Sequence, residues 1–297
     1  MTALALVAAV AAALCYAVAA ALEQIQAEAD RGRDVVRSFL LWRLMHQRRW
    51  LLGFGIGGLG AGLHLLAVAL APLALVQPIV VLTVVFAVPL GAALRRRRPT
   101  KTEMVAAIAV AAGLAIVVTT VRTTAEVPRP AGGSVALAAV VVATCVTLIL
   151  LVAARVSGSA RTVLLAGAAA ALLGLGSALA RTLLASDLSW ATIVAWGTPL
   201  LAGCAIAGTS LEQTAYKSGR LAVTVAVMTV IDPLVAIGIG AGALGQPVRF
   251  TMPAITALAA AMVVTGVITL ARHTFPAVPA AQPEPARRAV VPVGATR

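Results

Sequence analysis

The stretch Leu221–Leu244, LAVTVAVMTVIDPLVAIGIGAGAL, contains a single charged residue. At about 1.5 Å per residue, an α-helix of this length more than crosses a hydrocarbon core of about 30 Å. The charged residue, Asp232, stands near the middle of the run and is followed directly by Pro233. A carboxylate at that depth costs roughly 2.5–3.5 kcal/mol on insertion scales. The stretch therefore predicts a membrane-spanning helix with a functional acid at its centre.

The composition places the whole chain in the same class. Of its 297 residues, 61% are hydrophobic and 11% are charged, against about 45–50% and about 25% in soluble domains. The formal net charge of +13 comes from basic residues between apolar runs, which indicates membrane orientation and no nucleic-acid partner. The three cysteines, Cys15, Cys145 and Cys204, lie inside apolar runs without paired spacing. We therefore expect no disulfide, no metal site and no cofactor.

Nine apolar segments predict an all-α integral membrane protein with nine transmembrane helices. The segments cover 2–22, 50–70, 73–94, 103–121, 135–154, 162–185, 190–213, 220–243 and 252–272. The first has no basic residues before it, so we expect it to be retained as a span. Segment 35–49 alternates apolar and basic residues and predicts an amphipathic helix in the interface, with Trp42 and Trp50 at headgroup level. The proline-rich tail 273–297 is expected to be disordered.

The positions of lysine and arginine predict which end of each span faces the cytoplasm. Most of the 23 basic residues fall on one side if the amino terminus is outside, and the tetrad Arg95–Arg98 is the densest group. Only Arg122, Arg129, Arg181 and Arg249 fall on or near the other side. Because cytoplasmic loops are enriched in lysine and arginine, this distribution predicts N-out/C-in topology in the cell (cytoplasmic) membrane.

The chain also repeats itself weakly. The segment GLHLLA at 62–67 aligns with SLEQTA at 210–215, and Leu73-Ala74 aligns with Leu221-Ala222, at a constant offset of 148. After a short slip, Pro89 aligns with Pro233. Spans two to four thus correspond to spans seven to nine, which cross the bilayer in the opposite direction. Inverted repeats of this kind are typical of transporters, with a binding site near the midplane. We expect a first half at 1–125 with four spans and segment 35–49, and a second half at 126–272 with five spans.

The order of these features resembles the drug/metabolite transporter superfamily. One span and a basic amphipathic segment precede Trp50 to Gly53 (W-x-x-G), AVALAPLALVQP at 67–78, and a proline bend with a basic turn. Within the superfamily the chain is similar to the nine-span branch typified by NIPA-like magnesium transporters. Its second half, with LEQTA at 211–215 and Asp232-Pro233, is similar to the EamA-type half-repeat, in which an acid–proline pair is common. The resemblance implies a secondary transporter with a central cavity between two inverted halves.

Three titratable residues are the first candidates for the site. Pro233 removes a backbone donor and frees a carbonyl one turn earlier. Asp232 beside it could then hold a proton, a cation or a substrate amine, or could serve helix packing alone. His64 and Glu212 occupy equivalent positions of the repeat and could form a proton relay or alternating gates. The structural alternatives are a neutral imidazole bonded to a helix carbonyl, and a glutamate paired with Lys217 or Arg220.

Further polar residues complete the candidate set. Gln77 opens the third span, and Gln213 and Tyr216 follow Glu212 on its helix. A glutamine in hydrocarbon must find partners or line a wet cavity, so binding and packing roles are both open. The proposed helix bends are at Pro78, Pro89 and Pro233. The formal GxGxxG in span two follows no strand and lies in lipid, which excludes dinucleotide binding. No hydrolase constellation is present, so we expect no enzyme.

These observations predict a transporter of a small solute or metabolite that works by alternating access and could be coupled to protons. A magnesium or divalent-cation transporter of the NIPA-like kind is the first alternative. Where that branch is expected to carry an acid in span two, this chain has Gly60, Gly62 and His64. The second alternative is a lipid-binding or assembly membrane protein that transports nothing. The expected partners are a small-molecule solute and the bilayer, and a homodimer is an open alternative.

Overall fold

The computed structural model describes residues 2–29, 45–71, 73–123, 132–185, 197–217, 220–242 and 248–273. These residues form ten helices and one two-stranded sheet. The helices are α1 (Thr2–Ala29), α2 (Arg48–Leu70), α3 (Leu73–Val80), α4 (Thr83–Leu94), α5 (Lys101–Thr120), α6 (Gly132–Ala153), α7 (Gly158–Ala185), α8 (Thr198–Tyr216), α9 (Leu221–Gly242) and α10 (Pro253–His273). The strands are β1 (Val121–Thr123) and β2 (Val248–Phe250).

Seven helices in the described part of the chain are long and apolar enough to cross a membrane. They are α1, α2, α5, α6, α7, α9 and α10. The all-α, multi-pass character predicted from the sequence is therefore confirmed. The third and seventh predicted spans fall outside this set. The third predicted span consists of the two short helices α3 and α4. The seventh corresponds to α8, whose carboxyl-terminal turns are polar.

The third predicted span, 73–94, is not a single helix. It consists of α3 and α4, which are separated by a turn at Val81 and Leu82. The amide of Leu82 donates to the Ile79 carbonyl at 3.0 Å, which closes the turn after α3. Pro78 lies inside α3, and Pro89 lies inside α4. Because each proline ring crowds the carbonyl four residues earlier, two prolines weaken this segment as a continuous helix.

The first helix is longer than the sequence predicts. The apolar run ends at Leu22, but α1 continues through Glu23 and Gln24 to Ala29. Similarly, α2 begins at Arg48, inside the segment expected to be amphipathic. Residues 35–44 of that segment, including Trp42, and the tail beyond His273 lie outside the described residues. Trp50 belongs to α2, is buried, and stacks on Phe54 with ring centroids 5.5 Å apart.

Two antiparallel helix pairs have equivalent contacts. In the first, Gly60 of α2 faces Cys15 and Tyr16 of α1. In the second, Gly208 of α8, which is 148 positions further on, faces Leu173 of α7. In both pairs a glycine lets the helices approach closely where a side chain would collide. The offset of 148 found in the sequence thus relates positions with the same packing role.

Helices α5 and α10 cross through a symmetric pair of glycines. A Cβ atom on Gly113 would stand 2.8 Å from the Ala259 carbonyl oxygen, and one on Gly266 would stand 2.9 Å from the Ala106 carbonyl oxygen. The two contacts are equivalent: Ala259 precedes Gly266 on α10 by seven residues, and Ala106 precedes Gly113 on α5 by the same seven residues. The strands extend this antiparallel pair, because β1 follows α5, β2 precedes α10, and Val121 pairs with Phe250.

The largest buried cluster is formed mainly by helices α1, α4, α5, α7 and α9. Its residues are mostly alanine and valine, which allow close helix packing. Helix α6 packs chiefly on α7 and exposes large apolar side chains such as Leu137, Val141 and Leu148. Exposed leucine and valine on a membrane-spanning helix are typical of a lipid-facing surface.

We expect Gly113→Ala and Gly266→Ala each to destabilise the protein by about 1–3 kcal/mol, because the new methyl group meets backbone carbonyls that cannot move aside independently. Gly55→Ala is the matched control, since a Cβ there has no atom within 4 Å. Thermal unfolding of the purified variants in detergent provides the measurement. Equal stability of all three variants would show that the α5–α10 crossing is looser than described.

Candidate functional site

A cavity of about 190 Å³ lies between five helices. Helices α1 and α4 contribute from one half of the chain, α8 and α9 contribute from the other, and α2 adds a glycine. The lining residues are Tyr16, Ala19, Ala20, Glu23, Gly57, Thr83, Glu212, Tyr216, Val225, Met228 and Thr229. Two carboxylic acids and four hydroxyl groups therefore line one partly open cavity between otherwise apolar helices.

Glu23 is held by a side chain from a distant helix. Gln213 Nε2 of α8 donates to Glu23 Oε2 at 2.6 Å. Gln213 is fully buried, so its amide has no access to water and the bond to Glu23 satisfies one of its polar groups. A hydrogen bond to a charged group contributes roughly 1.5–3 kcal/mol. The bond joins α1 to α8 and fixes the orientation of the Glu23 carboxyl group.

Glu212 is held within its own helix. The hydroxyl of Tyr216, one turn later, donates to Glu212 Oε1 at 3.0 Å. Tyr216 is buried, and a buried tyrosine hydroxyl normally requires a partner. Because Gln213 is the neighbour of Glu212 in sequence, one turn of α8 provides an acid of the cavity and also orients the acid on α1.

The hydroxyl groups of the cavity come from two threonines and two tyrosines. Thr83 Oγ1 donates to the Val80 carbonyl at 2.6 Å, and Thr229 Oγ1 donates to the Val225 carbonyl at 2.8 Å. The chain contains only two tyrosines, and both, Tyr16 and Tyr216, line this cavity. Polar aromatic residues are thus concentrated at one place in a chain that has few of them.

Helical spacing explains how the lining residues share one space. On α1 the lining positions 16, 19, 20 and 23 follow the pattern i, i+3, i+4 and i+7. Residues at this spacing lie on one face of a helix. On α9 the lining positions 225, 228 and 229 follow the same pattern. Gly57 contributes through its small size, because a Cβ there would touch only Ala19.

The electrostatic character of the cavity is negative. Among the lining residues that the structure describes, none is a lysine, arginine or histidine. Glu28, one turn beyond Glu23 on α1, pairs with Arg95 at 3.7 Å, outside the lining. Two carboxylates in one poorly solvated space repel each other, and a bound cation or a shared proton removes that cost. The cavity is therefore suited to a positively charged ligand, to protons, or to both.

The basic residues near Glu28 mark one end of the helix bundle. Arg97 makes a bidentate contact with Glu103, which also completes a capping box with Thr100 at the start of α5. The hydrogen bonds from Arg97 to Glu103 raise the pKa of the guanidinium, so Arg97 is cationic at any physiological pH. Because Glu23 is six residues before the end of α1, about 9 Å along the helix axis, the cavity lies in the half of the bundle near this basic end.

Asp232 does not line the cavity. It is one turn beyond Met228 and continues the same stripe of α9, since positions 225, 228, 229 and 232 share one face. Its carboxylate lies beside Gly174 of α7, where a Cβ would be 3.3 Å from Oδ1. The side chain is exposed. Asp232 thus stands at the middle of α9, one turn beyond the described cavity lining, and the structure does not bring it together with Glu212 in one lining.

The other sequence candidates separate into two groups. Gln213 and Tyr216 are at the site, as partners of the two acids. His64 is half-buried on α2, one turn beyond Gly60, and its Nδ1 has no hydrogen-bond partner among the described residues. The described lining of the cavity includes Glu212 and not His64, and their joint role as a proton relay or alternating gates stays a prediction. Gln77 lies in α3, and its side chain is outside the described part of the structure.

Sequence reasoning missed Glu23. The apolar run ends at Leu22, and this pattern places Glu23 in the polar segment after the first span. Two signals could have identified it. Helical periodicity places Glu23 on the same face as Tyr16, and α1 has no proline or glycine that would end the helix at Leu22. Thr83, Thr229 and Tyr16 gave no sequence signal, because isolated hydroxyl residues are common in membrane helices.

The described residues contain no group of three or more histidine, cysteine or acidic side chains that could hold a metal ion. The two acids of the cavity could still bind a cation through bridging waters. Comparison of the chain with protein-family models, with curated proteins and with solved structures found no match.

We expect a cysteine at Met228 to react with a charged, water-soluble thiol reagent in membrane vesicles, because this position faces the cavity. Cysteine at Leu148 of α6 is the control, since that exposed side chain belongs to an apolar surface where thiols stay protonated and unreactive. Both are made in a background without Cys15, Cys145 and Cys204, and labelling is followed by intact mass. An inert Met228→Cys, or equal labelling at Leu148→Cys, would contradict a water-filled cavity at this place.

Proposed function

We propose that this protein is a multi-pass secondary transporter that carries a small solute through the cavity between its two halves. The observation that supports it best is the cavity itself, in which Glu23 and Glu212 face one space inside the helix bundle. Ionisable groups inside membrane proteins are costly and mark substrate or ion routes. A protein that only bound lipid or assisted assembly would not require this internal polar space.

The arrangement of helices supports alternating access between two inverted halves. The cavity is shared by α1 and α4 from one half and by α8 and α9 from the other. The equivalent packing of Gly60 and Gly208, and the symmetric crossing at Gly113 and Gly266, are what an internal repeat related by a two-fold axis would produce. We infer nine spans, with α3 and α4 together forming the third and α8 the seventh.

The inferred orientation puts the amino terminus outside and the carboxyl terminus inside. Under the positive-inside rule, the end of the bundle that carries Arg95–Arg98, Lys217 and Arg220 faces the cytoplasm. The cavity then lies in the cytoplasmic half of the cell membrane. Asp232, near the bilayer midplane, is the next acid along the route toward the outside. This arrangement is consistent with membership of the drug/metabolite transporter superfamily, as the sequence resemblance implies.

Proton coupling would use the two acids of the cavity. A proton and a cationic solute compete for the same carboxylates, so binding of one would release the other. Of the described residues, those that contact Glu23 and Glu212 or line the cavity with polar groups are Gln213, Tyr216, Tyr16 and the two threonines, and all of these are uncharged. The described lining thus supplies no fixed positive charge that would stabilise both carboxylates in the absence of solute, which favours exchange of protons for solute.

A magnesium transporter is the second candidate. Magnesium prefers six oxygen ligands in octahedral geometry and retains several waters. Glu23 and Glu212, which line one cavity, could hold such a hydrated ion. Against it, five of the eleven lining residues are alanine, glycine, valine or methionine, and these cannot bind the water shell of the ion.

Flux measurements test the transport function. The protein is reconstituted in liposomes containing a pH-sensitive dye, an inside-acid pH gradient is imposed, and a panel of amines, amino acids, sugars and carboxylates is added. We expect one class to release protons, with a rate at least tenfold lower in Glu23→Gln and Glu212→Gln, because the exchange site is lost. Glu28→Gln, on the same helix but outside the lining, is the matched control and should retain at least half of the rate.

Asp232→Asn in the same assay separates the two possible sites. Because Asp232 is outside the cavity lining, we expect a loss of no more than about threefold. Full flux in both cavity variants together with none in Asp232→Asn would move the site to Asp232. Absence of flux for every solute, magnesium included, would remove the transport proposal.

A further inference from the structure

We propose that the cavity binds a primary ammonium group carried on a short apolar chain. This inference rests on the proposed function for its biological meaning, because it names the class of solute. Its physical basis is separate and lies in the hydrogen-bonding groups of the cavity, which are rich in free acceptors and poor in free donors.

The donors of the cavity are already in use. Thr83 and Thr229 donate to helix carbonyls, and Tyr216 donates to Glu212. The amide of Gln213 donates to Glu23. Tyr16 is the one remaining lining hydroxyl for which the described residues supply no partner. A ligand that needs several donors, such as a carboxylate or a phosphate, would find one hydroxyl and two repelling acids.

The acceptors of the cavity are largely open. Each carboxyl group uses one oxygen in the bonds described, Oε2 of Glu23 and Oε1 of Glu212, which leaves the second oxygen of each for a ligand. The hydroxyl oxygens of Thr83 and Thr229 keep lone pairs after donating. A primary ammonium has three N–H donors and no acceptor, and it can therefore bond two carboxylate oxygens and one hydroxyl oxygen at once.

A second, independent observation also indicates a missing donor. Gln213 is fully buried. Its amide oxygen has no hydrogen-bond partner among the described residues. That oxygen belongs to the same amide group whose nitrogen lies 2.6 Å from Glu23. A buried carbonyl oxygen without a donor costs about 1–3 kcal/mol. Gln213 is not among the described lining residues, so an N–H group bound at Glu23 would relieve that cost through a bridging water.

The apolar part of the cavity lining favours an apolar chain on the ammonium group. Ala19 and Ala20 of α1 face Val225 and Met228 of α9, and these four side chains offer only apolar contact. The volume of about 190 Å³ admits a short alkyl chain beside the charged group. Methionine adapts its shape to different apolar partners, so the wall can accept several chain lengths.

Two other cations fit the same charges less well. A quaternary ammonium ion has no N–H group and leaves the free oxygens and the Gln213 carbonyl without donors. Hydrated magnesium supplies donors through its waters but places them against Ala20, Val225 and Met228. The order of affinity that follows is primary ammonium first, with quaternary ammonium and magnesium well behind.

Isothermal titration calorimetry of the full-length protein in detergent tests this order. The probes are n-butylammonium, tetramethylammonium, butyrate and magnesium chloride. The Glu23→Gln/Glu212→Gln double variant serves as the blank for partition of each probe into the micelle. We expect n-butylammonium to bind at least tenfold more tightly than tetramethylammonium or magnesium, and butyrate to show no binding above the blank.

Single variants assign the contacts. Glu23→Gln and Glu212→Gln should each weaken n-butylammonium binding at least tenfold, and Glu28→Gln should leave the affinity within twofold. Gln213→Leu removes the positioning amide and should narrow the preference for n-butylammonium over tetramethylammonium, a change in selectivity that a purely structural role would not cause. Size-exclusion profiles and thermal unfolding show whether each variant is folded. If the double variant does not fold, the affinities of the single variants test the ammonium site.

The outcomes distinguish this inference from the transport proposal. Binding of n-butylammonium without flux would retain the ammonium site and overturn transport. Flux of a neutral or acidic solute without n-butylammonium binding would retain transport and overturn the ammonium site. Equal affinity for n-butylammonium and tetramethylammonium, or tighter binding of magnesium, would also overturn the ammonium site.

Discussion

The hydrogen bond between Gln213 and Glu23 is the interaction on which the site depends. Gln213 is fully buried and Glu23 is half-buried, and a buried polar group without a partner costs about 1–3 kcal/mol, with more for a charge. Each therefore constrains the position of the other. Because Glu23 is on the first helix and Gln213 is on α8, satisfying this pair requires the two halves of the chain to meet at one place. The cavity is the space left beside that meeting point.

Close packing elsewhere in the bundle makes this meeting possible. Glycines at the α1–α2, α7–α8 and α5–α10 contacts bring helix backbones together where apolar side chains give no preference over lipid. The break between α3 and α4 places Thr83 at the start of a helix that faces α1 and α9. Small residues thus set the distances between helices, and the few polar residues then decide which faces turn inward.

The face of α9 that lines the cavity continues toward an acidic residue. Val225, Met228 and Thr229 line the cavity, and Asp232 continues their stripe one turn further. The acid that the sequence singles out therefore lies one turn beyond the described cavity lining. Under the proposed function, the cavity and Asp232 would belong to one route without sharing one lining.

The sequence by itself determined the membrane class and the approximate position of most apolar helices, and it proposed Glu212, Gln213 and Tyr216 as candidate site residues. These follow from local patterns, because hydropathy, periodicity and an acid in an apolar run can be recognised without knowing what packs against what. Only the tertiary structure decided that Glu23 lines the cavity beside Glu212, that His64 is not among the described lining residues, and that the segment 73–94 is broken into two helices. Those features depend on contacts between residues as far apart as 23 and 213. No local pattern encodes which two distant helices satisfy each other's buried polar groups.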